Sequence, residues 1–210
     1  EFRRVLFRSC SPYLHELALV VLAWNNLHEE LSLLFWTLIG ASDSNAVLRI
    51  WHSIRSDRTQ RDMLRAAQMG DLTHLPRVRE KGIPFASRAR EDIEFLLKAV
   101  DSIASSRNHA VHTPFAFLNE ESKITMVAQD FFGHPMARKL SGKDLAFELQ
   151  RQRNSADILT AFTQNIRLAL YVKPEPQWPS RPILPSQATR NEAPHQKKQK
   201  SRRRSTQPAT

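Results

Sequence analysis

Apolar residues return at helical spacing through most of the chain. Between residues 14 and 39 the stripe is Leu17, Val20, Val21, Trp24, Leu31, Phe35 and Leu38. It predicts one long helix that begins near Pro12 and is stopped by Gly40. Ser42 or Ser44 stands where it would cap a second helix through Ala46, Val47, Ile50, Trp51 and Ile54. A third, shorter helix is predicted from Asp57 to Met69, with Gly70 closing it. Residues 71–86 hold Pro76, Gly82 and Pro84 and read as a long loop, which function or a short turn of helix would account for.

Ser87 is the expected cap of a fourth helix, with Glu91 and Asp92 in its first turn, where the helix dipole favours acids. Its stripe is Ile93, Leu96, Leu97, Val100, Ile103, Ala104 and Val111, and Pro114 ends it. Residues 115–118 and 123–127 flank Asn119-Glu120-Glu121-Ser122, which predicts a small β-hairpin. Ser141 precedes a last long helix over 143–172, striped by Leu145, Phe147, Leu149, Ile158, Leu159, Phe162, Ile166, Leu168 and Leu170. Pro174 terminates it. The fold class is therefore all-α: a bundle of four to five helices with a small β-hairpin inserted before the last long helix. Five glycines against 12 prolines argue against a turn-rich all-β fold.

Charge changes the picture at the ends only. Of a formal net charge of +10, residues 174–210 supply +6 and residues 1–9 supply +2, leaving the body at +2. The opening EFRRVLFRS reads as a translated sequencing adapter and is set aside from the fold, a native basic leader being the other reading. Residues 174–210 carry seven of the 12 prolines and then KKQKSRRR, and are predicted to be disordered. The domain plan is 1–9 extrinsic, 10–173 helical domain, 174–210 basic tail. Lys197, Lys198, Arg202, Arg203 and Arg204 could contact nucleic-acid phosphates or an acidic membrane surface; a solvated tail without a partner is the alternative. The apolar runs of the first helix are each too short for a bilayer, which takes about 20 apolar residues, and no cleavage pattern follows them. The single Cys10 excludes an internal disulfide and a cysteine-built zinc site. A cytoplasmic protein with no metal, no cofactor and no membrane association is expected.

The chemistry concentrates in Arg107-Asn108-His109-Ala110-Val111-His112, near the end of the fourth helix. At about 100° per residue from Ile93, Arg107 falls near −40°, inside the apolar stripe, and His112 near +100°, at its edge. His109 points the opposite way. A core-facing arginine is costly unless an acid, another chain or a phosphate receives it. On helix one, His28 lies among Trp24, Leu31 and Phe35, with Asn25 and Ser32 beside it and Glu29 further out. This polar ridge suits a supporting role for His28, Glu29 and Asn25 around Arg107, although a satisfied core histidine is the plainer reading of His28. Arg138, Lys139 and Lys143 flank the start of the last helix, where they could hold an RNA backbone or form a solvated basic loop. Trp24, Trp36 and Trp51 read as core, and Trp178 has no assigned role.

RNHAVH resembles the R-x(4–6)-H motif of the HEPN family (higher eukaryote and prokaryote nucleotide-binding domains), including the asparagine after the arginine. The resemblance covers residues 12–172 in architecture and six residues in motif. The string Arg190-Asn191-Glu192-Ala193-Pro194-His195 matches too, but Pro194 forbids the helix that the motif needs. The resemblance implies a compact helical bundle and a metal-independent endoribonuclease acting as a homodimer, with two motifs meeting at the two-fold axis. It also implies a toxin-like or defence-related role with an antitoxin-like partner. In that reading Arg107 holds the phosphoryl oxygens, His112 does acid–base work and Asn108 orients them. The alternatives are a non-catalytic binding or dimerisation module, in which Arg107 makes a structural ion pair, and an adaptor that binds nucleic acid through its tail.

Overall fold

A computed structural model describes residues 2–113, 115–120, 123–129, 135–171 and 177–185. Among them the chain forms α1 (Phe2–Ile39), α2 (Ser44–Ser53), α3 (Asp57–Gln68), α4 (Pro76–Lys81), α5 (Ile83–His112), β1 (Phe115–Glu120), β2 (Lys123–Ala128), α6 (Pro135–Leu140) and α7 (Leu145–Tyr171). The architecture is the expected helical bundle with a two-stranded antiparallel hairpin before the last long helix. The hairpin register runs from Phe115 opposite Ala128 to Glu120 opposite Lys123, so both strands extend beyond their apolar cores.

Several helix boundaries depart from expectation where a cap had to be chosen, although α3 starts at Asp57 as expected. α1 runs through Pro12 rather than starting there, and so takes in residues 2–9. Gly40, at φ 69°, stops it as expected. α2 is capped by Asp43, not by Ser42 or Ser44: the Asp43 carboxylate accepts from Ala46 N at 3.2 Å. α3 takes Ser56 as its cap. The expected loop at 71–86 contains α4, whose first residue is Pro76, where a missing N–H costs nothing. α5 begins at Ile83 behind Gly82, at φ 74°, so Ser87 is an interior residue and Glu91 and Asp92 lie in the third turn. Asp144 caps α7, accepting from Phe147 N at 3.1 Å. Patterning located the helices; which of several neighbouring Ser and Asp residues caps each one is a matter of backbone geometry.

Among the described residues the main core is shared by six helices, α1 to α5 and α7. Leu27, Leu31 and Leu34 of α1, Trp51 of α2, Leu64 of α3, Ile93, Leu96 and Leu97 of α5, and Leu159 and Ile166 of α7 are fully buried. Each such side chain stabilises the fold by about 1.5–3 kcal/mol relative to exposure. α1 packs most extensively along α7, and α7 also lies against α5. Polar clamps fix α3. Arg61 Nε donates to Asp101 Oδ1 at 2.7 Å, and Arg65 binds the other oxygen of the same carboxylate. Arg90 donates to the carbonyls of Gln68 and Gly70, each at 3.0 Å. Val111 and Phe147, read as stripe residues, are exposed.

Residues 177–185 correct the reading of 174–210 as wholly disordered. This strap lies across the first half of α5. Trp178 Nε1 donates to Asp92 Oδ2 at 2.7 Å, and Arg181 Nε donates to the other Asp92 oxygen. Trp178 meets Phe85 edge-on at 5.1 Å, and Leu184, only 3% exposed, joins the main core. One tryptophan and one leucine among the prolines supply the apolar anchor that composition averaging hides. The rest of the tail, with Lys197, Lys198, Arg202, Arg203, Arg204 and the second RNEAPH string, lies outside the described residues. Among the described residues no helix is long and apolar enough to cross a membrane.

Candidate functional site

Arg107 sits on the seventh turn of α5, and its side chain is half-buried against α1. Its guanidinium carbon lies 5.5 Å from the centre of the Trp24 ring. Nη1 donates to Asn108 Oδ1 at 2.9 Å, while Nε is buried with no hydrogen-bond partner. Among the described residues no carboxylate pairs with Arg107. The receiving group is thus an aromatic face, which attracts a cation by about 0.5–2 kcal/mol and leaves the hydrogen-bonding fork largely unused.

Trp24 belongs to a polar cluster beneath the arginine. Its indole donates to Asp57 Oδ2 at 3.2 Å, and its ring lies 4.8 Å from that of His28. His28 Nδ1 faces Gln60 Oε1 at 3.2 Å, and Gln60 Nε2 donates to the carbonyls of Trp51 and Ile54 at 3.1 and 3.2 Å. With the amide nitrogen so committed, Gln60 presents an acceptor to His28, so Nδ1 carries the proton. Nε2 is buried and unbonded, 3.8 Å from Asp57 Oδ2. Burial lowers the His28 pKa; Asp57 opposes this, while Arg61 and Arg107 reinforce it. His28 is therefore a neutral imidazole in the wall behind Arg107.

The remaining expected residues fall elsewhere. Glu29 faces outward and meets His52 Nε2 at 3.7 Å, because the helical twist turns it away from the Trp24 side. Asn25 is exposed. His112 is exposed at the end of α5, and five residues at about 100° place it roughly 140° around the helix from Arg107. Within one subunit, the two motif residues do not share a face. His109 is half-buried, and its carbonyl accepts from the Thr113 backbone at 3.0 Å and from the Thr113 hydroxyl, closing the helix end. Arg138 and Lys143 are exposed; Lys143 lies 4.0 Å from Glu148, and the Lys139 side chain lies outside the described residues.

Sequence reasoning missed Trp24 as the platform for Arg107, and Asp57 and Gln60 as the supports of Trp24 and His28. Trp24 was legible only as a stripe residue, and the α3 contacts span more than thirty positions. Comparison with family models, curated proteins and solved structures finds no match to this chain.

Proposed function

We propose that this chain is a HEPN-type domain that cleaves RNA without a metal, at a site completed by a second copy of itself. The observation that supports this reading is Arg107: a half-buried guanidinium with no carboxylate among the described residues, an unused Nε and an asparagine already bonded to it. Such a group favours the more highly charged phosphorane-like transition state over the singly charged phosphodiester from which it forms. In the reaction the ribose 2′-oxygen bonds to phosphorus and the bond to the 5′-oxygen breaks. One imidazole accepts the 2′-hydroxyl proton and another protonates the leaving oxygen, giving a 2′,3′-cyclic phosphate and a 5′-hydroxyl. The angular separation of His112 from Arg107 on one helix is why the reading requires a dimer, in which the arginines and imidazoles of both copies meet in one site on the two-fold axis.

The test is cleavage of labelled RNA in chelator by the protein, by Arg107→Ala and by His112→Ala. The expected loss is about 10²–10⁴-fold for removal of an acid–base imidazole. A folded dimer that cleaves nothing, or a His112→Ala variant as active as its parent, overturns the nuclease. One observation favours the second reading, a non-catalytic module: the Trp24 ring already answers part of the Arg107 charge. On that reading Arg107→Ala lowers stability and no RNA is cleaved by any form.

A further inference from the structure

A cleft of about 390 Å³ opens at the other end of α1, where the last turn of that helix, the Gly40–Ser42 turn, the start of α4 and the end of α7 converge. Trp36 and Thr37 lie 12 or more residues beyond Trp24, so at 1.5 Å per residue the cleft is roughly 18 Å or more from Arg107. Its volume falls in the range of small-molecule sites. The walls divide by chemistry. Trp36, Leu75, Pro76 and Leu168 supply apolar surface, and Arg167 and His74 supply the nitrogen groups.

Two details show that these walls are held in place. The Trp36 indole donates to the Ala41 carbonyl at 2.9 Å, fixing the ring across the turn. His74 faces the Asp71 carbonyl through Nδ1 at 3.0 Å, and it packs so close to Gly40 that a Cβ there would come within 2.2 Å of the ring. Arg167 is only partly satisfied: Nη2 reaches Glu30 at 3.4 Å, and Nε is buried without a hydrogen bond. A guanidinium held by one long contact beside an indole wall is suited to a ligand with a flat apolar body and one negative group.

We propose that this cleft binds a small planar anion, with Arg167 receiving the anionic group and Trp36 the flat body. Carboxylates and phosphates share that chemistry, and the arms of the experiment separate them. The full-length protein is titrated by calorimetry with indole-3-acetate, with indole-3-acetamide as its neutral counterpart, and with adenosine 5′-monophosphate against adenosine. At least one anion binds with 1:1 stoichiometry, about tenfold or more tighter than its neutral counterpart. Leu168→Trp, which narrows the cleft with a bulkier side chain, weakens that binding about tenfold or more. Arg167→Gln leaves Glu30 alone and could disturb the fold, so Glu30→Gln provides the independent arm. It frees Arg167 from its carboxylate and tightens the anion severalfold. The proposal is overturned if neither anion binds, if neutral counterparts bind equally well, if inorganic phosphate alone competes as well as the planar anions, or if Leu168→Trp leaves binding intact.

Discussion

Single side chains here carry consequences that acid and substitution would expose. His28 is held neutral by burial, with its ordinary value at 6.5 lowered in the fold. As pH falls through 6.5 the unfolded chain takes up this proton and the folded chain does not, so stability declines until the lowered value is reached. The slope contributed by one such group is at most about 1.4 kcal/mol per pH unit. His28→Gln should flatten the denaturant midpoint between pH 6.5 and 5 relative to the parent; an unchanged profile would remove His28 from the acid response. Asp101 adds a second window. Burial raises its pKa, but the hydrogen bonds from Arg65 and Arg61 outweigh burial and hold it below 3.8. Its contribution is therefore present above 3.8 and lost as pH falls through the lowered value, which Asp101→Asn would show as a weaker response to strong acid. Gly40→Ala combines a left-handed φ with a clash against His74, and should cost about 1–3 kcal/mol by thermal unfolding. That Arg107 faces the core was legible from its angle on the stripe. That an indole rather than an acid receives it was not, because the partner lies on a helix more than eighty positions earlier.

At the scale of elements, periodicity placed the long helices and alternation placed the hairpin, since both patterns are local. The strap at 177–185 was invisible to the same reasoning because its two anchors, Trp178 and Leu184, share no period and stand among prolines. Its hold on α5 is testable. Leu184→Ala empties a filled core position and should cost about 2–5 kcal/mol. Asp92→Ala leaves the Trp178 indole and Arg181 without their acceptor and should cost about 1–3 kcal/mol. Chemical denaturation measures both, and near-neutral results would mean that the strap is not part of the folded unit. For another reason, the short helix α6 escaped the reading, and α4 was legible only as a short turn of helix offered as one account of a long loop. Six residues make too little amphipathic pattern to rise above a loop.

For the whole molecule, a near-neutral body joined to a basic end bears on the proposed RNA contact. If the proposed nuclease reading holds, cleavage depends on Arg107, whereas general affinity for RNA would come from the six basic residues between 197 and 204. If so, removing residues 186–210 should leave the stability transition in place and flatten the salt dependence of RNA binding. The log–log slope should fall by about 0.7 for each phosphate that is no longer neutralised. An unchanged slope would assign the affinity to Arg138, Lys143 and the body. The strap also sets where a handle on the protein can go. Asp92, to which it is fastened, is fifteen residues before Arg107 on one continuous helix, roughly 22 Å along the axis. A fluorophore or surface-immobilisation tag attached at the exposed Gln177, next to Trp178 on Phe85, therefore sits beyond Asp92 from the arginine, so single-molecule and surface measurements can be made from that end without masking the motif.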